Sequence, residues 1–256
     1  PTFADLTGDG RPEIVCVSQG RFGFAQADWD APQEPWTFHP VSEDRGLGKF
    51  THGLGVGDID GDGWPDLIDQ RGWARNPAPP KGGALWQDHP VPFAPQRGGA
   101  QMHATDLNGD GRADVITSKN AHGYGLSWFE QANGKAAWKE HVILPERPAR
   151  DVEEIQFSQL HAIEIGDMDG DGLVDIVVGK RWWAHGPDKD PEPNAPAVVY
   201  VFRQIRFPSG ETRFEPALVD DDSGAGTQLS LADLNGDGRL DILTANKKGI
   251  FAFLSK

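Results

Sequence analysis

Five copies of one acidic loop carry the side chains of this sequence that are best suited to bind a metal ion. Each copy has an oxygen-bearing side chain at loop positions 1, 3, 5 and 9 and a Gly at position 6. Ca²⁺ takes six to eight oxygen ligands, and a tight loop with a Gly turn can supply them. The predicted ligands are Asp5, Thr7, Asp9, Glu13, Asp58, Asp60, Asp62, Asp66, Asp106, Asn108, Asp110, Asp114, Asp167, Asp169, Asp171, Asp175, Asp233, Asn235, Asp237 and Asp241. We therefore expect four or five bound Ca²⁺ ions, the alternative being an Asx-rich turn without metal.

An EF-hand begins with the same spacing, but two features exclude it. An EF-hand needs a bidentate Glu at position 12 and a helix on each side of its loop. Position 12 of the five copies is Cys16, Asp69, Thr117, Val178 and Thr244. Each loop is followed by a short run of β-branched and aliphatic residues, which is typical of a buried strand. The loops are therefore predicted to join two strands.

The composition excludes several classes of protein. The formal charge of −15 would suggest a basic partner, but the loop carboxylates account for the excess of acid. The sequence gives no support to nucleic-acid binding, which requires a basic face. No hydrophobic run approaches the roughly 18 residues of a membrane span. Cys16 is the single cysteine, so no internal disulfide is possible.

The elements around the loops repeat as well. The loops begin at Asp5, Asp58, Asp106, Asp167 and Asp233, and a second pattern of aromatic, His and apolar residues lies between them. Repeats of roughly 40 to 50 residues with four strands indicate propeller blades. We predict one all-β domain over residues 1–256, with repeat units starting near residues 1, 51, 100, 159 and 226. It is a β-propeller of about five blades, with the first blade incomplete and the last without an outer strand.

The segment Asp106-Leu-Asn-Gly-Asp-Gly-Arg-Ala-Asp-Val-Ile116 resembles the FG-GAP/VCBS repeat family. All five units share this resemblance. It implies an integrin-type β-propeller of four-stranded blades, with Ca²⁺ in the loop between the first two strands of each blade. It does not imply one function, because such propellers serve as adhesins, lectins, lyase scaffolds and binding platforms. Thr7 and Glu13 depart from the family pattern in the first loop.

A second resemblance rests on the segments 51–57, 158–162 and 179–187. These are similar to a bacterial subgroup of the same family, which resembles the propeller part of aldos-2-ulose dehydratase. That resemblance implies a metal-dependent sugar lyase.

Strand order predicts where a ligand site would lie. If the metal loop joins the first strand of a blade to the second, the opposite connections meet on the other face, beside the central channel. Residues just before the first strand are His52, His103, His161 and Gln228. Residues just after the second strand are Arg71, Lys119, Lys180 and Asn246, with Arg181, His122 and His185 close behind. We take His52, His103, His161, Lys180, Arg181 and His185 as the candidate catalytic residues of this channel face.

Two functional classes follow from that face. The first is a calcium-stabilised propeller that binds a carbohydrate or a protein partner there. The second is a metal-assisted sugar lyase or dehydratase. Imidazoles can bind an additional divalent metal or transfer protons near neutral pH, and Lys or Arg can stabilise an enolate or carboxylate oxygen. Trp73, Trp182 and Trp183 could stack on sugar faces.

Other polar residues are expected to be structural. His39, His89 and His141 repeat with the outer-strand pattern, and Asp188 to Asp190 is expected to be a solvated charged loop. Dependence on Ca²⁺ favours an extracellular or periplasmic location, and the start so close to the first loop suggests a segment of a longer secreted protein.

Overall fold

The computed structural model describes residues 2–78, 84–94, 98–132, 137–151 and 154–256. Within these ranges every named element is a β-strand. The described residues include no helix with the length and hydropathy of a bilayer-spanning segment. Residue 1, where the first repeat unit was expected to start, lies outside the described part.

The described part of the chain has nineteen strands, which fall into five groups. The first group is β1 Thr2–Ala4, β2 Glu13–Ser18, β3 Arg21–Gln26 and β4 Thr37–Pro40. The second is β5 Leu54–Gly57, β6 Asp66–Asp69, β7 Gly72–Arg75 and β8 Gln87–Pro90. The third is β9 Gln101–Thr105, β10 Asp114–Ser118, β11 Leu126–Gln131 and β12 Trp138–Leu144. The fourth is β13 Ala162–Gly166, β14 Asp175–Gly179, β15 Val199–Arg206 and β16 Thr212–Asp220. The fifth is β17 Leu229–Ala232, β18 Asp241–Asn246 and β19 Gly249–Phe253.

Each group is an antiparallel meander in which neighbours in sequence are neighbours in the sheet. Every acidic loop joins the first strand of its group to the second, and the last group has three strands. The predicted blades, the position of the loops and the missing outer strand of the last blade are thus confirmed. The first blade was expected to be incomplete, but it has all four strands, with an inner strand of only three residues.

The inner strands of successive blades lie side by side. β1 contacts β5, β5 contacts β9, β9 contacts β13 and β13 contacts β17. This is the arrangement of propeller-like blades, whose first strands surround a common axis. The connections that lead into these inner strands therefore meet on one face.

Two blades are joined more closely than the repeat pattern predicts. β5 and β9 pair in parallel, which merges the second and third blades into one eight-stranded sheet. Glycine makes this approach possible, since a Cβ on Gly55 would lie 2.3 Å from the carbonyl oxygen of Met102. A Cβ on Gly57 would lie 2.5 Å from the Cβ of Ala104. Gly in a strand interior often marks such a close backbone approach.

The hydrophobic core is divided among the interfaces between blades. One cluster lies between the first and second blades and includes Val15 and Trp86. The next interfaces are filled around Phe93 and Val115 and around Trp128 and Phe202. The last cluster packs the fourth blade against the fifth. Each blade is therefore stabilised mainly by burying its faces against its neighbours.

The outer-strand histidines pack on aromatic rings of the same blade. The His89 ring stacks on Trp73 with centroids 4.1 Å apart, and His141 stacks on Trp128 at 4.0 Å. His39 stacks on Phe24 at 5.0 Å. These are cross-strand pairs between the third and fourth strands. The structure thus confirms the predicted structural role of these histidines. Because the Trp73 ring is stacked on His89, its position does not support the predicted sugar-stacking role.

A buried carboxylate at loop position 9 ties each blade together. In the third blade, one Asp114 oxygen accepts the Leu107 N–H at 3.1 Å and the other accepts the Gln131 N–H at 2.9 Å. Leu107 belongs to the loop, and Gln131 ends the third strand of the blade. The carboxylates of Asp66, Asp175 and Asp241 each accept the same pair of hydrogen bonds. Position 9 therefore has a structural function even without a metal ion.

We predict that Asp114→Ala destabilises the protein by about 3 kcal/mol even in excess chelator, because two buried N–H groups lose their acceptor. The control is Asp110→Ala in the same loop. Asp110 lies at the surface with its side chain 25% exposed, and its ion pair with Arg112 is partly solvated, so we expect a loss below about 1 kcal/mol. Urea unfolding of both variants in chelator measures the difference. Equal losses for the two variants would contradict the structural role of position 9.

Candidate functional site

The connections opposite the acidic loops surround an open cavity of about 1640 Å³. They are held together by isolated bridges, such as Gly98 with Asn120 and Arg181 with Ala225. All four residues predicted before the inner strands line the cavity, and two further histidines join them. The histidines and Gln228 on its wall are His52, His103, His122, His161, His185 and Gln228.

His52 and His161 form a close pair in the cavity. Their Nε2 atoms lie 3.0 Å apart, and the ring centroids are 4.9 Å apart. His161 Nδ1 lies 3.0 Å from the carbonyl oxygen of Thr227. Burial, followed by the nearby charge of Arg181, lowers the pKa of His161 to about 3. His161 is therefore a neutral imidazole near neutral pH.

A second group of polar residues adjoins this pair. His185 Nδ1 lies 2.9 Å from Asp190 Oδ1, and His122 Nδ1 lies 3.4 Å from the same oxygen. Burial is the largest cause that lowers the pKa of His122. Asp190 is 9% exposed, which corrects the expectation of a solvated loop. The feature of the sequence that could have indicated this contact is that Asp190 follows His185 by five residues in the same connection.

Lys180 does not face the cavity. It is fully buried, and its Nζ donates to Ser158 Oγ at 2.6 Å. Burial lowers the pKa of Lys180 to about 8. The expectation of a channel-mouth ammonium at Lys180 is wrong. The backbone N–H of Lys180 still bonds to the Val198 carbonyl, just before the neighbouring strand, so Lys180 is still held against the sheet. The chain leaves the sheet one residue later, so that Arg181 lines the cavity instead.

The equivalent residues of the other blades also lie away from the cavity. Lys119 is buried and its Nζ donates to Glu140 Oε1 at 2.8 Å. Asn246 donates to the backbone carbonyl of Ser223. Arg71 is exposed and does not belong to the cavity wall. The alternation of side chains along the second strand, and not proximity in sequence, decides which residues reach the cavity.

His103 is held by a neighbouring blade. It lies within β9, and its Nε2 is 2.9 Å from the carbonyl oxygen of Ile163. Burial lowers the pKa of His103. The ring therefore contributes to the cavity wall while bonding β9 to β13.

Glu164 is a cavity residue that the sequence analysis missed. It lies in β13, lines the cavity and accepts a hydrogen bond from Gln101 Nε2. Burial raises the pKa of Glu164 to about 7. A single acidic residue in the otherwise apolar strand Ala162–Gly166 was the signal that could have identified it.

Trp182 and Trp183 stack on each other with centroids 5.7 Å apart. Neither ring belongs to the cavity wall, and Lys248 Nζ lies 4.9 Å from the Trp182 centroid. Their predicted sugar-stacking role therefore has no support from their position.

Two of the acidic loops bring three carboxylate groups close together. In the second loop, oxygens of Asp58, Asp60 and Asp62 lie within 4.8 Å of one another. In the fourth loop, Asp167, Asp169 and Asp175 do the same. Carboxylate oxygens at such spacing match the ligands of Ca²⁺. In Asp58 and Asp167, Oδ1 accepts two backbone N–H groups and Oδ2 accepts one, so one lone pair of Oδ2 is left for a cation.

The loops differ in how they compensate their charge. Arg75 forms ion pairs with Asp60 and Asp62 at 2.6 and 2.9 Å, and Arg112 pairs with Asp110. In the part of the chain that the structure describes, no Lys or Arg pairs with Asp169 or Asp171. Burial raises the pKa of Asp66 to about 7 and that of Asp114 to about 6. A nearby cation would favour the ionised form of these carboxyl groups.

Comparison with known proteins gives one family. A family model described as FG-GAP-like repeat matches residues 5–68, 106–178 and 167–244. These ranges cover most of the chain and contain all five acidic loops. No curated protein matches the sequence. The resemblance to aldos-2-ulose dehydratase therefore stays a prediction.

We predict that Glu164 reduces stability as the pH rises from about 4.5 towards 7. The folded pKa is raised above the unfolded value, so the folded state holds a proton in this window that the unfolded state has lost. Glu164→Gln removes this contribution. As the pH rises across this window, the unfolding free energy of the wild type should therefore fall relative to that of the variant. Urea unfolding at several pH values measures it, and a constant difference would contradict the shifted pKa.

Proposed function

Since the chain belongs to the FG-GAP-like repeat family and is a β-propeller domain involved in binding, we propose that its ligand is a carbohydrate bound in the channel-face cavity. The observation that carries this proposal is the open cavity of about 1640 Å³ with polar groups on its wall. Small-ligand sites are concave and orient the ligand through a few polar groups. A protein partner would instead need roughly 800 Å² of surface on each side.

Several cavity groups suit a polyhydroxylated ligand. Arg181 can donate to a carboxylate or a hydroxyl, while Glu164 and Asp190 can accept from hydroxyls. Burial is the largest cause that lowers the pKa of Arg181, and its charge is partly offset by Asp190. A guanidinium removed from bulk water interacts more strongly with an acidic sugar than a surface lysine does.

We predict that Arg181→Ala lowers the affinity for an acidic oligosaccharide at least tenfold. Calorimetric titration with a panel of neutral and uronate-containing oligosaccharides measures this. Arg203→Ala is the matched control, because Arg203 is exposed on β15 and pairs with Glu215 at 3.8 Å, outside the cavity. Binding to a protein with no binding to any sugar would support the protein-partner alternative instead.

The second candidate function is a sugar lyase or dehydratase at the same cavity. The observation in its favour is a carboxyl group with a pKa of about 7, Glu164, on the wall of the same cavity as the neutral imidazole of His161. A general base works best when its pKa is near the operating pH. The base would remove the proton next to a carbonyl or carboxylate. The electron pair would form a C=C bond as the C–O bond to the leaving hydroxyl or sugar breaks, and Arg181 would stabilise the enolate oxygen.

This alternative is tested by following the absorbance of the new conjugated double bond in the same sugar panel. Turnover that is lost in Glu164→Gln and retained in Arg203→Ala would support an enzyme. Tight binding without product would leave the binding function alone.

We further propose that four or five Ca²⁺ ions bind the acidic loops and that the domain works outside the cytoplasm or in the periplasm, where Ca²⁺ is abundant. The donor sets of the second and fourth loops support this. Asp58 and Asp167 would hold an ion at the start of each loop, with the position 3 and 5 carboxylates beside them. The ion would supply only charge and loop closure there.

We predict that excess chelator lowers the melting temperature sharply, because an ion that binds only the folded state stabilises it by mass action. Loss of the ion should destabilise the second and fourth loops, which contain Asp60 and Asp169, more than the first loop. Asp169→Ala should therefore lower the melting temperature in Ca²⁺ more than Thr7→Ala does. Differential scanning calorimetry with and without chelator measures both, and an unchanged melting curve would contradict calcium binding.

A further inference from the structure

Three histidines from three different connections converge in the cavity. His52 precedes β5, His122 lies between β10 and β11, and His161 precedes β13. One ring nitrogen from each lies within 4.8 Å of the others. They come from three blades, so this convergence exists only in the folded domain.

The hydrogen bonds of His161 fix which of its nitrogens is free of a proton. A backbone carbonyl can only accept, so His161 Nδ1 must donate to Thr227 at 3.0 Å. The Nε2 of the neutral ring therefore carries a lone pair, and it points at His52 Nε2, 3.0 Å away. Histidines that bind metals almost always donate their other N–H to a carbonyl or a carboxylate in this way.

His122 has a carboxylate near its Nδ1, at a longer distance and without a formed hydrogen bond. Its Nδ1 lies 3.4 Å from Asp190 Oδ1, and a carboxylate favours a proton on that nitrogen. The Nε2 of His122 is then the lone-pair nitrogen. Asp190 is itself fixed, because its oxygens bond the ring and the backbone N–H of His185.

The spacing suits a small transition-metal ion. Two ligand nitrogens on a tetrahedral Zn²⁺ at about 2.0 Å are roughly 3.3 Å apart, close to the 3.0 Å between His52 and His161. His122 is the more distant ring, with centroids 5.2 and 5.6 Å from the other two. It lies in a connection and not in a strand, so a movement on the order of 1 Å would not disturb the sheet.

We propose that His52, His122 and His161 bind one Zn²⁺-class transition-metal ion, with the Thr227 carbonyl and Asp190 orienting two of the rings. Imidazole nitrogens select such metals, whereas Ca²⁺ takes oxygen ligands, so this site differs from the acidic loops. Three protein ligands leave a fourth position open, as in catalytic zinc sites. That position would face the cavity, where Arg181 favours an anionic or oxygen-bearing group. The inference deepens the proposed function by adding a metal to the same cavity.

A different ligand set shares one of these residues. His122, His185 and Asp190 also offer ligand atoms within 4.8 Å of one another. In that set Asp190 would bind the metal with one of the oxygens that already accept hydrogen bonds from His185, at 2.9 and 3.1 Å. The three-imidazole set leaves these two hydrogen bonds in place and replaces only the 3.0 Å contact between the Nε2 atoms of His52 and His161, and it is therefore the one that we propose.

The test is a Co²⁺ titration of the untagged protein in excess Ca²⁺, so that the acidic loops are already filled. We expect one Co²⁺ per chain, with the visible absorption bands of a nitrogen-ligated ion. His52→Gln and His161→Gln should each weaken binding by at least about 100-fold, although glutamine at 161 retains a donor for Thr227. Asp190→Asn should weaken it by about 10- to 100-fold, the usual cost of losing an outer partner.

Two controls keep the result specific. His39→Gln removes an imidazole that stacks on Phe24 outside the cavity, and it should leave the titration unchanged. Circular dichroism of each variant confirms that it is folded. His185→Gln should weaken binding less than His52→Gln does.

The proposal is overturned if no stoichiometric Co²⁺ binds, or if His52→Gln and His161→Gln bind as the wild type does. It is also overturned if His185→Gln abolishes binding while His52→Gln does not, because the other ligand set would then be the site. Co²⁺ binding is measured without sugar. Metal binding with no sugar binding would therefore refute the proposed function alone, and sugar binding without metal would refute only this inference.

Discussion

The structure depends on one buried carboxylate in each blade. Loop position 9 places this group under the acidic loop, where it accepts the N–H of loop position 2. In four of the blades it also accepts an N–H from a residue in the third strand or one or two residues after it. A buried carboxylate is costly unless it is well bonded, so these contacts fix both the loop and the strand order. In the first blade this residue is Glu13, which accepts the Leu6 N–H like the others and accepts its second hydrogen bond from the Thr7 hydroxyl.

Once the acidic loops are fixed at one end of each blade, the connections must gather at the other end. The inner strands then bring these connections around the axis, and β5 and β9 approach closely because Gly55 has no Cβ to clash with Met102. The result separates two chemistries in space. Oxygen ligands lie on one face, and imidazoles, Arg181 and Glu164 lie on the other. A hard cation and a nitrogen-seeking ion could therefore act in one domain without competing for ligands.

The cavity combines groups that burial has shifted in opposite directions. His161 is kept neutral because desolvation lowers its pKa, whereas Glu164 holds its proton to higher pH because desolvation raises its pKa. Both effects come from one environment, which disfavours charge of either sign. Such paired pKa shifts in a cleft are typical of functional sites. Binding of a polar ligand and proton transfer are both compatible with this chemistry.

The sequence by itself determined the blades, the loops between first and second strands, and the face on which His52 and His161 would lie. It could do so because loop ligands and strand periodicity are local patterns that repeat along the chain. It failed where the outcome depended on side-chain direction and on contacts between blades. Lys180 turned into the core and Asp190 became buried, although both had been placed by their position in sequence. His122 was placed on the correct face by its position after the second strand, but its approach to His52 and His161, and the place of Glu164 on the cavity wall, depend on how separate blades pack around one axis, and no single repeat contains that information.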